Sequence, residues 1–279
     1  MPDVQSWRPQ SNFKLSRVGI QGIKKQVYIK RPKRTVQLIV EMDVFVDLPA
    51  FKKGSDLSRN SEVIAEIVEQ SSRHPSSSLE ALCADIAEQL LHKHEYANRS
   101  EARASADYFL DRITPSQRKT MEPYRIMAKV VASKDDTVKR YIGVEVMGMT
   151  ACPCAMETIR ESCGTNAGMT HNQRNIVTII MESRGVVDAD DLIDIAEASM
   201  STPTFEILKR SDEKEVVINA HDNPKFVEDV VRELLANILD KYHDLPDDVQ
   251  IVARSKSLES IHKHDAFAER TTTMGELKK

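Results

Sequence analysis

No stretch of the 279-residue chain comes near the ~20 consecutive apolar residues that a membrane-spanning helix requires, so no membrane association is expected. The segment Met1 to Lys14 is polar, carries Pro2 and Pro9, and has no apolar secretion core, which makes the cytoplasm the expected compartment. A basic excess is also missing. With 39 Lys and Arg against 43 Asp and Glu, the formal net charge is -4, which argues against a general nucleic-acid binder. Cysteine is scarce: four residues, with Cys83 alone and Cys152, Cys154 and Cys163 crowded together. That is too few and too uneven for a disulfide scaffold, and in a reducing compartment such a cluster points to metal or thiolate chemistry. What is present, 41% hydrophobic and 29% charged residues, describes an ordinary globular protein of one large or two modest domains.

The clearest local pattern is a strand. Val36, Leu38, Val40, Met42, Val44, Val46 and Leu48 alternate with residues that include Gln37, Glu41, Asp43 and Asp47, and Pro49 ends the run. One buried and one polar face suit an antiparallel sheet. Arg17 to Arg31 reads as the partner strand, across a turn at Pro32-Lys33-Arg34. Two helical faces follow: Val63, Ile64, Ile67 and Val68, then Leu79, Leu82, Cys83, Ile86 and Leu90 behind a serine run that offers N-caps. Cys83 fits that second stripe as a small buried apolar residue. With strands expected at 102–113 and 124–132, the order is β-β-α-α-β-β. After the polar break Ser133-Lys134-Asp135-Asp136 it recurs, with strands at 139–147 and 175–183, helices at 190–200 and 224–241, and strands at 249–253 and 262–269. Two similar modules, residues 1–134 and 135–279, are predicted, by element order and without residue-level repetition.

The most unusual stretch is Gly148-Met149-Thr150-Ala151-Cys152-Pro153-Cys154-Ala155, which leaves a strand into a loop. A thiolate serves as metal ligand or nucleophile, and C-P-C alone leaves both open. His171 heads the run His171-Asn172-Gln173-Arg174; a lone histidine there is ordinarily structural or solvated, but the cysteine pair precedes it in the same module. Lys209-Arg210-Ser211-Asp212-Glu213-Lys214 would ordinarily be a solvated loop. In Glu259-Ser260-Ile261-His262-Lys263-His264, a continued strand would put His262 and His264 on one face with Ala266 and Ala268. Asn223 and Pro224 suit the cap and first position of a helix whose stripe runs from Val227 to Leu239. Glu228 falls at the edge of that stripe, where a carboxylate needs a buried donor or a ligand. Thiolate, imidazole and carboxylate together suit Zn2+ or Fe2+, with a position left for water. Such an ion lowers the pKa of bound water from ~15.7 towards ~7.

Five runs in order carry a resemblance: Gly148 to Ala155, His171 to Arg174, Lys209 to Lys214, Asn223-Pro224-Lys225-Phe226-Val227-Glu228-Asp229, and Glu259 to His264. With Arg17-Val18-Gly19 and Val46-Asp47-Leu48-Pro49 upstream, nearly the whole chain resembles the GTP cyclohydrolases of the type IB and archaeal kind. Met149-Thr150, Thr170 and the endings Ala268-Glu269-Arg270 and Gly275-Glu276-Leu277 favour the iron-dependent archaeal branch of methanopterin biosynthesis. The resemblance implies an α+β tunnelling fold (T-fold), two tandem β-β-α-α-β-β modules with antiparallel sheets. It also implies a homodimer or homotetramer in which the sheets close into barrels, with sites at subunit interfaces. The implied reaction is hydrolysis of the guanine imidazole ring of GTP with loss of formate. The archaeal branch gives 7,8-dihydroneopterin 2′,3′-cyclic phosphate and pyrophosphate, and the bacterial type IB branch keeps the triphosphate. Position by position, the resemblance makes Cys152, His171 and Glu213 ligands of Fe2+ (Zn2+ or Mn2+ as substitutes) and Glu228 the anchor of the guanine edge. It makes Cys154 a second, catalytic thiol near the metal, and His262 and His264 the histidines that complete the catalytic site as proton-transfer groups or an additional metal contact. Arg174, Lys209 and Arg210 are candidates for the phosphates on charge alone. The stretch Ala155 to Thr170, with Cys163 and Gly164, is longer than in the bacterial relatives, which puts strict bacterial metal geometry in question.

Two other classes fit parts of the pattern. One is a cysteine-nucleophile enzyme, as in the nitrile-reducing members of the same fold. The other is a non-catalytic metal-binding protein, which would have no need of Glu228. The lack of a G-x-x-x-x-G-K-[ST] loop separates none of these, since the base would be the main handle.

Overall fold

The computed structural model describes residues 4–31, 34–163, 168–185 and 187–279. The expected turn residues Pro32 and Lys33, together with Pro2 and Gly164, lie outside the described residues. The chain divides into two compact units, residues 1–107 with 126–142, and residues 108–125 with 143–279. No described helix is long and apolar enough to cross a membrane.

In the first unit, β1 (Leu15–Lys30) and β2 (Thr35–Leu48) pair antiparallel, and β3 (Arg99–Ile113) pairs with the other edge of β2. The alternation of β2 sorts its faces as expected: Val40, Met42, Val44, Val46 and Leu48 are all buried. They form one core with Val63, Ile64 and Ile67 of α1 (Leu57–Arg73) and Leu82, Ile86 and Leu90 of α2 (Leu79–Lys93). Each such side chain contributes about 1.5–3 kcal/mol by leaving water. The serine run does provide a cap, since Ser78 Oγ accepts from Ala81 N–H at 3.1 Å. Cys83 is buried in the α2 stripe, and burial pushes its thiol well above the ordinary range.

The polar face of β2 departs from its expected exposure at Asp47, which is buried. Burial pushes this carboxyl up, but the N–H groups of Arg99 (2.9 Å) and Asn98 (2.7 Å) and the Lys14 ammonium (3.0 Å) outweigh it and hold it below the usual carboxylate range. A second polar knot holds the end of α2. His94 is fully buried, with Nε2 2.7 Å from Asn60 Oδ1 and Nδ1 3.0 Å from the Tyr96 hydroxyl.

After β4 (Lys119–Ser133) a turn at 134–136 leads to β5 (Val138–Ala151). The order of elements then recurs with additions. An unforeseen helix α3 (Pro153–Cys163) separates β5 from β6 (Asn172–Glu182). α4 (Ala189–Ser199) follows, then the short β7 (Thr202–Pro203), a second unforeseen helix α5 (Arg210–Asp222), and α6 (Val227–Tyr242). β8 (Gln250–Ser257), β9 (Ala266–Thr273) and the single turn α7 (Met274–Leu277) close the chain.

In the second unit β6, β8 and β9 pair antiparallel in that order, with Ile179 opposite Ala253 and Ala253 opposite Arg270. α4 and α6 pack on each other, and α6 lies on β8 and β9. Val230, Leu234 and Ile238 of α6, Leu192, Ile193 and Ala196 of α4, and Val177, Ile179, Met181 and Ile251 of the sheet are all buried in this packing. The architecture is therefore mixed α and β on antiparallel sheet, as expected.

The run Lys209 to Lys214 is a correction. It is not a loop but the start of α5, whose only buried residues are Asp212, Val216 and Ala220, one row at spacing four. Asp212 Oδ1 accepts from Ser116 N–H (2.7 Å) at the tip of the β3–β4 hairpin, and Oδ2 accepts from Lys209 N–H (3.0 Å).

Candidate active site

β5 ends at Ala151, and Pro153 opens α3, where a missing N–H costs nothing and the fixed φ suits the first turn. Cys152 is thus the residue ahead of a helix. Ala155 N–H points at its sulfur (3.5 Å) and Met156 N–H at its carbonyl (3.3 Å). Cys154, one residue into the helix, is exposed and turned elsewhere. The segment leading into β6 is bound to the same point, with Cys152 N–H donating to His171 O (3.0 Å) and Thr170 Oγ1 to Cys152 O (2.6 Å). The backbone alone therefore brings the thiol and the imidazole to one place.

His171 has few freedoms left. Its Nδ1 lies 2.9 Å from Gln173 Oε1, 3.5 Å from Ser260 Oγ and 4.0 Å from Glu259 Oε2. An amide oxygen only accepts, so this contact makes Nδ1 the donor. Gln173 is itself fixed, its Nε2 donating to Thr150 Oγ1 at 3.3 Å.

The β8–β9 connection supplies two further rings. His262 and His264 stack at 5.2 Å between centroids and 15° between planes, and His262 meets His171 edge-on at 6.4 Å. They stand in a run of bends, not on the strand expected there, because pairing along β8 ends near Leu258 N–H to Arg174 O (2.9 Å) and resumes only at Ala266. The two rings still come together.

The Asn-Pro signal needs the opposite correction. Asn223 caps the C-terminus of α5, and Pro224 follows as a stop; α6 starts at Val227, with Phe226 N–H donating to Asp229 Oδ2 (3.1 Å). Glu228 is consequently in the first turn of α6, exposed rather than set into the core edge. It opens onto a pocket of about 280 Å3, the order of a small-molecule site. That pocket is lined by Cys152, His171, Glu228, His262 and His264 together with Thr150, Gln173, Lys225, Glu259 and Ser257.

Cys154, Arg174, Lys209, Arg210 and Glu213 do not line it; all five are exposed. Gln173, Lys225 and Glu259 were not singled out from the sequence. Gln173 carried a usable signal, since it lies two residues from His171 at a strand edge and shares its face. Among the described residues no three His, Cys, Asp or Glu groups stand together as a finished cation site. The donor chemistry nonetheless suits a borderline-soft divalent ion, because a thiol and an imidazole with Nδ1 engaged and Nε2 free face one pocket.

The profile of the family described as "Type I GTP cyclohydrolase folE2" matches residues 1–268. GTP cyclohydrolase MptA of Methanosarcina mazei is 44% identical, covering 100% of this chain and 96% of that protein. GTP cyclohydrolase MptA of Methanosphaera stadtmanae is 41% identical over 99% of this chain and 96% of its own length. Among solved structures, a uricase from Bacillus fastidious superimposes with a TM-score of 0.57 at 11% identity, covering 95% of this chain and 94% of that one. The uricase from Arthrobacter globiformis gives 0.54 at 9% identity, covering 92% and 93%. Those two share the fold. With a match over nearly its full length and relatives above 40% identity, the chain belongs to the type I GTP cyclohydrolase family.

Proposed function

We propose that this chain is a metal-dependent GTP cyclohydrolase that opens the guanine imidazole ring of GTP and releases formate. Its product is 7,8-dihydroneopterin 2′,3′-cyclic phosphate, formed with release of pyrophosphate, the first step towards the pterin of methanopterin. The observation that carries the reading is that a thiol, an imidazole, two stacked histidines and a carboxylate from separate elements line one pocket. Full-length similarity to proteins named GTP cyclohydrolase MptA supports this branch over the bacterial one that keeps the triphosphate.

Glu228 accepts hydrogen bonds from N1–H and the 2-amino group of guanine, a paired contact that fixes the ring plane. Cys152 and His171 would hold Fe2+, with Glu213 as the third ligand by its motif, although it does not line the pocket of this chain. When bound, the cation supplies Lewis-acid polarisation at C8 and a water acidified towards neutrality. His262 and His264, stacked beside His171 in the pocket, are placed to accept a proton from an attacking water and to return one to a ring nitrogen as its bond to C8 breaks, as general base and then general acid. Gln173 holds the His171 proton on Nδ1. Cys154, Arg174, Lys209 and Arg210 act, in this reading, on the metal surroundings and the phosphates when copies associate as a homodimer or homotetramer with closed barrels. All four cysteines are free, as a cytoplasmic setting would keep them.

Anaerobic, iron-loaded protein incubated with GTP should yield formate, pyrophosphate and the cyclic phosphate by mass; full turnover by chelator-stripped protein would refute the mechanism. Glu228→Gln should cut kcat/KM for GTP by a hundredfold or more, about 3 kcal/mol, with metal content intact.

A further inference from the structure

Lys225 is a cation in the pocket wall for which the reaction has no use. It is buried, and its ammonium has three acceptors within reach: Ser199 O at 3.2 Å, Met200 O at 3.3 Å and Glu233 Oε2 at 2.5 Å. A lysine has three N–H donors, so none is left for a substrate. Two of the acceptors are the orphaned carbonyls at the end of α4, the negative pole of that helix; the third is on α6. The main chain of Lys225 is tied as well, its N–H donating to Ala151 O (3.0 Å), the residue before Cys152. Asn223 Nδ2 adds bonds of 3.3 Å to Met200 O and Ser201 O.

We infer that Lys225 is a positioning residue for base recognition, a clip that fixes the first turn of α6, and so Glu228, against the end of α4 and the end of β5. The role rests on Glu228 being the guanine anchor. A carboxylate reaches N1–H and the 2-amino group together only when it is held in the plane of the base. Slack at residue 225 costs the second contact first. Inosine triphosphate lacks the 2-amino group and offers only the first. Loss of the clip therefore lowers the preference for GTP over inosine triphosphate. A purely structural role lowers the folded fraction, which cancels in that ratio.

The test measures kcat/KM for both nucleotides on metal-loaded wild type, Lys225→Met, Lys225→Arg and Glu233→Gln. In Lys225→Met the ratio should fall about tenfold, the scale of a small misplacement of a recognition group. Lys225→Arg, which keeps a cation, should recover part of it. Glu233→Gln removes one of the three acceptors and should give a smaller fall in the same direction, which keeps the role testable should Lys225→Met not fold. An unchanged ratio in Lys225→Met, or in Glu233→Gln if the former is insoluble, overturns the clip. A wild type that leaves GTP untouched overturns the reading of the pocket and the clip with it, whereas an active wild type beside an unchanged variant ratio overturns the clip alone.

Discussion

At the scale of single residues, His94 shows what burial does to a titratable group the reaction does not use. Burial, then the nearby Arg59, pushes its imidazole from the ordinary 6.5 down to about 4, against an opposing pull from Asp56. The folded pKa is the lower one, so between these values the unfolded chain takes up a proton that the folded chain refuses. Stability therefore falls as pH drops from about 6.5 towards 4 and is fully recovered above it. Denaturant unfolding across that window should show the slope, and His94→Gln should flatten it; a variant with the wild-type slope would place the proton elsewhere. The residues of the pocket were legible to a different degree. Cys152 stands out by its C-P-C run and His262 and His264 by their spacing, His171 gains weight only from the cysteines before it, and Glu228 stands out from a stripe-edge position that the structure does not give it. Lys225 and Gln173 do not stand out, because a lysine or glutamine looks solvated in sequence, and only three-dimensional bonding shows it consumed.

At the scale of elements, the strands and the long apolar helices followed from periodicity, whereas α3 and α5 escaped it. α3 has no buried residue and α5 buries one row that begins with an aspartate, so neither carries an apolar stripe to read. The Asn-Pro pair points to a helix start in sequence although the same two residue types also end helices, and the choice depends on whether a helix precedes. Asp212 is what makes α5 a fixed element. Its two oxygens join the helix start to the hairpin tip at Ser116, where Thr114 N–H and Arg118 O close the turn at 2.9 Å. Asp212→Ala removes the acceptor of the Ser116 and Lys209 N–H groups, both on exposed residues that water can reach, and should lower Tm by about 2–4 °C, with Asp212→Asn losing less. Calorimetry that finds Asp212→Ala as stable as wild type would remove the latch from the account.

At the scale of the whole molecule, the order β-β-α-α-β-β is visible from hydrophobic spacing in the first half and recurs in the second with α3, β7 and α5 added, and a uricase at 11% identity shares the fold. Compactness draws its border differently from element order, because residues 108–125 of the β3–β4 hairpin belong with the second unit. No local signal in those residues, a charged hairpin end, marks where they pack. A bound cation is a whole-molecule quantity too, since any ligand of the folded form alone shifts the folding equilibrium. Anaerobic Fe2+ at a hundredfold above its Kd should stabilise the protein by about 2.7 kcal/mol, and Cys152→Ser should lose most of this. Thermal melts with and without iron, read on both proteins, check it; equal shifts in the two would move the ion away from residue 152.

The hydrogen at Gly148 matters beyond its own strand. A Cβ there would stand 2.4 Å from the terminal carbon of Met200, the far end of a flexible, buried side chain that would have to shift. Met200 lends its carbonyl to Lys225 and Asn223. One added methyl on β5 would thus press on the residue whose carbonyl Lys225 and Asn223 share, so a change at position 148 carries a cost beyond its own strand.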